Sequence, residues 1–214
     1  MPSREPTSRW THLRRHPRLG AAAVAAVALV AALVLVTVLG GWARTTPEGV
    51  TRASQGAEIS AKPFRVRLDR AEATYELAGR PADPGLAYLV VEGELTLDTA
   101  EMVGSTTLGE AFSADLPKGY DAFGNPSDVA EAGITVTEDG SMLLGLGPGL
   151  TYDVLVTFVV DEGDVPEQLT VTLNEHVRRE SSLDYTLGWY DPAPVARVTF
   201  DVAPLPADRP QEEF

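Results

Sequence analysis

Three groupings of titratable residues in this chain have types and spacings that invite chemistry. His176, beside Asn174, precedes Ser181 and Ser182, which could in principle join it in a Ser-His-Asp arrangement. No Gly-x-Ser-x-Gly elbow presents a nucleophile, however, and proximity in sequence is not the geometry a triad needs. His176 is therefore expected on the exposed polar face of a strand. Glu92 and Glu94 fall on one face of a predicted strand, roughly 7 Å apart, a separation at which two carboxylates can act on a glycosidic bond. A polar outer sheet face accounts for them as well. Asp161, Glu162 and Asp164 have the charge for calcium but lack the Asp-x-Asp-x-Asp-Gly order and the distal Glu, so an acidic hairpin turn is expected. Gly145-Leu146-Gly147-Pro148-Gly149 precedes a strand rather than a helix and is no phosphate cradle. The chain has no cysteine, which removes thiol catalysis and thiolate metal sites. These residues lead to the expectation of a non-catalytic protein with no cofactor and no metal.

The segment Arg178 to Pro192 is different in kind. It holds the tandem pair Arg178-Arg179 together with Tyr185, Trp189 and Tyr190, residue types enriched where proteins bind one another. It links two predicted strands and is long for a hairpin connection, and long loops on rigid scaffolds are often functional. Arg178, Arg179, Tyr185, Trp189 and Tyr190 are the candidate partner-binding residues. The competing reading has Trp189 and Leu187 folding back to plug an open end of the domain. Both hold together if Trp189 is buried while Tyr190 and the arginines are exposed.

The elements that must position these residues read as strands. Phe64, Val66 and Leu68 alternate with Arg65 and Arg67, and the pattern continues through Ala73, Tyr75 and Leu77. From Tyr88 to Thr99, Leu89, Val91, Leu95 and Leu97 share one face, with Glu92, Glu94 and Thr96 on the other. Further strands are expected at 106–112, 134–137, 141–146, 152–160, 168–176 and 195–202, with a loop at 117–133. The 152–160 segment is apolar on both faces towards its end, as suits a central strand. Leu169, Val171 and Leu173 point inward, as do Ala196, Val198, Phe200 and Val202. Seven or eight short strands predict an all-β, antiparallel, immunoglobulin-like sandwich, with a closed barrel as the alternative. Here "immunoglobulin-like" describes layout alone, since the paired cysteines around a buried Trp are absent.

Charge divides the chain. The formal net charge is −14, yet residues 1–19 carry five arginines against Glu5, leaving 12 basic and 30 acidic residues, net −18, in the remainder. Such acidity repels nucleic acid and anionic lipid. Residues 19–43 contain no charge and consist mainly of Ala, Val and Leu. At 1.5 Å per residue a helix of that length reaches across a hydrocarbon core of about 30 Å, and the arginines before it keep that end cytoplasmic. The expected organisation is a basic cytoplasmic tail over 1–18, a transmembrane helix over 19–43, a linker over 44–56, an extracytoplasmic β-sandwich over 57–205 and a disordered acidic tail over 206–214. The rival is a secretory signal cleaved after Ala43.

Several short stretches resemble a known group. They are Pro63-Phe64-x-Val66-x-Leu68-Asp69-Arg70-Ala71, Tyr88-Leu89-Val90-Val91-Glu92, Leu146-Gly147-Pro148-Gly149-Leu150, Val165 through Leu173, and Gly188 through Thr199. Together they resemble uncharacterised single-pass actinobacterial envelope proteins, whose outer domain is similar to the immunoglobulin-like sandwich of secreted mycobacterial antigens. The resemblance implies a fold and a plasma-membrane location and carries no activity or site residue. The function expected is that of a membrane-anchored interaction module, an accessory subunit of an envelope transport or secretion system. Its partners would be membrane lipid along 19–43 and an unidentified envelope protein, with no nucleic acid. The alternative is a domain that binds a glycan, lipid or cation.

Overall fold

A computed structural model of the chain describes residues 49–207 and 209. The tail over 1–18, the apolar segment over 19–43 and most of 206–214 lie outside them. No helix among the described residues is long and apolar enough to cross a membrane.

The described chain is mostly β. Nine strands form the main hydrogen-bonded network: β1 (Thr51–Ala53), β2 (Glu58–Ala61), β3 (Phe64–Thr74), β4 (Leu86–Leu97), β5 (Phe112–Ala114), β6 (Gly133–Val136), β7 (Thr151–Asp161), β8 (Gln168–Glu180) and β9 (Leu187–Ala203). They make two layers. One runs β6-β7-β4-β3 with β2 on the start of β3, all antiparallel. The other runs β5-β8-β9, with β1 parallel to the middle of β9. The layers join where Val202 and Ala203 pair in parallel with Ala71 and Glu72. β1 lies within the segment read as a linker. Its pairing (Thr51 beside Ala196, Ala53 beside Val198) makes it part of the second layer.

Between the layers sits one apolar core. The alternation predicted for β3 and β4 puts Phe64, Val66, Leu68, Leu89, Val91, Leu95 and Leu97 inside, and Leu169, Val171, Leu173, Ala196, Val198 and Phe200 close it from the other layer. β7 is central, as its two apolar faces predict. Val154, Val156, Phe158 and Val160 join the core, while Thr157 and Val159 are buried on the opposite face. There Leu77, Pro81, Ala82, Ala122 and Phe123 cover the sheet, leaving a cavity of about 230 Å³ above Tyr88, Thr157 and Val159.

The 106–112 segment is not a strand. Ser105–Glu110 is a short helix, α1, followed by β5. Leu108, Ala111 and Phe112 are the buried residues here. Their spacing of three and four is one face of a helical turn, not an alternating strand. The 141–146 stretch is likewise reduced to a bridge from Met142 to Thr135 and the pair Gly145–Leu146 against Val103–Gly104.

A bulge corrects the parity of β3. Leu68 pairs with Gly93 and Arg70 with Glu92, so Asp69 is extra. Inward positions thereby shift from 64, 66 and 68 to 71 and 73. The strands approach closely at that point: a Cβ on Gly93 would sit 2.2 Å from the Arg67 carbonyl oxygen and 2.9 Å from Leu68 Cδ2. Gly93→Ala is therefore expected to destabilise the domain by about 2 kcal/mol, read by denaturant unfolding. Gly163→Ala, with open space around it, should change little. Equal midpoints for the two variants would refute the close-approach account.

Candidate functional site

The segment 178–192 is not a loop. β8 runs on to Glu180 and β9 starts at Leu187, so only residues 181–186 form the turn. Arg178 pairs with Trp189, Arg179 with Gly188 and Glu180 with Leu187. Sequence reading stopped β8 at His176 because alternation of apolar residues ends there. The strand continues because its hydrogen bonds are backbone bonds, indifferent to the charge of the side chains. Beyond Glu175 the two strands form a ribbon in which, among the described residues, each has only the other as ladder partner.

One face of this ribbon is a stack. The Tyr190 ring lies across Gly188, where a Cβ would come within 2.8–2.9 Å of the ring atoms and the hydroxyl. The Arg179 guanidinium sits over the Tyr190 ring, 4.9 Å from its centroid. Asp191 holds that guanidinium in a two-pronged pair, at 2.5 Å from Nε and 3.0 Å from Nη2. This pairing keeps the Asp191 carboxyl below its ordinary range. Asp191 has φ of 55°, in the left-handed region, next to the irregularity that Pro192 opens in β9. On the other face, Arg178 pairs with Glu101, and Trp189 packs partly buried against the core with its Nε1 buried and lacking a protein partner.

The five candidate residues therefore separate. Arg179 and Tyr190 are brought together, with Tyr190 half-buried rather than exposed. Arg178 and Trp189 belong to the opposite face. Tyr185 lies in the turn, 77% exposed, with φ of 59°. Asp191 and Glu101 organise the arginines and were not singled out from the sequence. Carboxylates are too plentiful in this chain for composition to select them. The ribbon also carries Leu183, 92% exposed, with Val177 and Leu187 more than half exposed.

His176 is buried, 3% exposed, not on the surface. The register shifts after Leu173 and after Glu175 exchange the two faces of β8, so Val177 turns outward and His176 inward. Its Nε2 lies 3.5 Å from a Glu110 carboxylate oxygen, without hydrogen-bonding geometry. Burial lowers its pKa and outweighs the opposing pull of Glu110. Serine neighbours do not assemble with it: Ser181 caps the turn through Leu183 N–H.

The other groupings are occupied by ion pairs. Arg70 reaches Glu92 at 2.5 Å and Arg67 reaches Glu94 at 3.2 Å across the β3–β4 ladder. Asp161 takes Lys118 and the Tyr120 hydroxyl, which together hold its carboxyl below the ordinary range. Glu162 accepts a bond from the Tyr75 hydroxyl at 2.7 Å. Asp161 ends β7, and Glu162–Asp164 is a single 3₁₀ turn. Among the described residues no three His, Asp or Glu side chains group closely enough to hold a metal ion.

The likenesses of this chain to known proteins are distant. No protein-family model matches the chain, and no curated protein matches it in sequence. Among solved structures it is similar to an uncharacterized β-sandwich protein from Clostridium difficile, at 10% identity and TM-score 0.46, covering 73% of this chain and 97% of that one. It is also similar to a lipoprotein candidate from Staphylococcus aureus, at 8% identity and TM-score 0.40, covering 72% and 97%. A third, a lipoprotein candidate from Bacillus subtilis, shares 16% identity at TM-score 0.38 and covers 69% of this chain and 38% of that one.

Two outcomes are expected. Because the folded-state pKa of His176 is lowered, the unfolded chain binds the extra proton first as pH falls. His176 then removes stability from about pH 6.5 downward. The melting temperature should drop between pH 7.5 and 5.5, and His176→Gln should flatten that slope; an unchanged slope would exclude His176 as the cause. Separately, Gly188→Val should push the Tyr190 ring off the ribbon and open the Arg179 stack. Ring-current shifts of the Arg179 side chain in NMR spectra, present in the parent and lost in the variant, would report it.

Proposed function

We propose that this chain is a membrane-anchored, extracytoplasmic interaction module without catalytic activity, serving as an accessory subunit of an envelope transport or secretion system. The observation that supports this reading most is the β8–β9 ribbon. It is rigid, because the Gly188–Tyr190–Arg179–Asp191 stack braces one face and the Arg178–Glu101 pair tethers the other. It nonetheless ends in exposed apolar side chains, Leu183, Tyr185 and Leu187. A braced element with an apolar end favours a protein contact, because little conformational entropy is left to lose on binding. The uncharged run over 19–43 behind five arginines supports the anchor and its orientation, and the resemblance to single-pass actinobacterial proteins with an immunoglobulin-like layout fits the same reading.

Crosslinking of the intact protein in its native membrane, followed by mass spectrometry, tests it. A discrete membrane-protein partner is expected, with crosslinks clustering at 178–192. Leu183→Ser combined with Tyr185→Ser should reduce its recovery about tenfold, and these exposed positions leave the core untouched. A partner recovered equally from the variant would exclude the turn as the contact. Crosslinks to the chain itself alone would overturn the accessory-subunit reading.

A further inference from the structure

We infer that a groove beside α1, floored by residues of the core, is a binding site for a small organic cation with an apolar body, distinct from the turn of the ribbon. The groove encloses about 630 Å³ between α1, β5 and the segments 129–134 and 142–144. That volume falls within the roughly 300–1,000 Å³ of small-molecule sites. Its floor is apolar: Leu108, Phe112 and Ile134 are almost completely buried there. Its rim is apolar and open, with Phe123 73%, Val129 63% and Leu144 66% exposed, an unusual amount of large apolar surface to leave in water.

The charge of the lining selects the occupant. Among the described residues, the charged residues lining the groove are Glu110 and Glu131, with no lysine or arginine. From Gly119 to Val177 the chain contains neither. The nearest cations along the chain are committed elsewhere: Lys118 to Asp161 and Asp164, Arg178 to Glu101 and Arg179 to Asp191. An anionic or purely polar ligand would meet two carboxylates and an oily floor. A quaternary or protonated amine bearing a hydrocarbon chain matches both. Its head would sit by Glu110 and Glu131 with the Phe123 ring face available to it, and its chain would cover Leu108, Phe112 and Ile134.

Three probes of equal chain length separate the contributions: hexyltrimethylammonium, 1-hexanol and hexanoate. They would be titrated by calorimetry into the full chain in lipid nanodiscs, with empty nanodiscs as reference. The cation is expected to bind tightest, the alcohol more weakly and the carboxylate not measurably. Glu131→Gln should weaken the cation about fivefold and leave hexanol unchanged, and added salt should act in the same direction. Glu131→Lys should invert the order in favour of hexanoate. Glu131 is exposed, so neither variant disturbs the core. Equal affinity for the three probes, an order unmoved by Glu131→Lys, or binding of a basic peptide with none of the small cation would each overturn the proposal.

Discussion

Strand β9 is hydrogen-bonded into both layers, and the position of nearly everything else follows from that. Its middle pairs with β8 on one side and β1 on the other, and its last two residues pair with β3 in the opposite layer. The same strand supplies Ala196, Val198 and Phe200 to the core. A strand bonded into both layers fixes their separation and angle, so the core must fill a gap of set width. That gap is filled largely by Leu, Val and Phe at near-zero exposure. Without a disulfide anywhere in the chain, burial of this apolar surface is the main stabilising influence.

Irregularities in the ladders then decide which residues reach the surface. The Asp69 bulge lets β3 change faces without leaving the sheet, with Gly93 as the point of contact. The shifts in β8 and β9 do the same around Pro192 and Pro194, which have no N–H to give to the ladder. Beyond them the hairpin continues as a two-stranded ribbon, and its side chains face opposite ways from those an unbroken strand would present. His176 becomes a buried group and Val177 an exposed one.

The ribbon and the groove by α1 differ in physical character. The ribbon carries its arginines already neutralised by Asp191 and Glu101, so its exposed end, with Leu183, Tyr185 and Leu187 beside Glu180 and Asp184, has little uncompensated positive charge. The groove is apolar and carries Glu110 and Glu131 in its lining, Glu110 with the buried His176 3.5 Å away. Most remaining carboxylate groupings, including those that resembled catalytic or calcium sites, are engaged by arginine, lysine or tyrosine partners.

Period-two alternation was sufficient to locate β3, β4, β7 and the core-facing parts of β8 and β9, because half-buried strands separate apolar from polar side chains one residue at a time. Absence of cysteine and the charge division were also legible in composition alone. Alternation cannot announce where a bulge changes its phase, so the burial of His176 and the reversal at Val177 required the paired strand. Nor does it extend through Arg178-Arg179-Glu180, where backbone hydrogen bonding rather than side-chain burial sustains the strand. The candidates at 178–192 were legible by residue type, yet their division between two faces of a ribbon was not. The contacts of Arg67 with Glu94, Arg178 with Glu101 and Arg179 with Asp191 depend on register and on which of many carboxylates comes near. Only the tertiary structure sets that, because an ion pair is defined by distance in space and not by spacing along the chain.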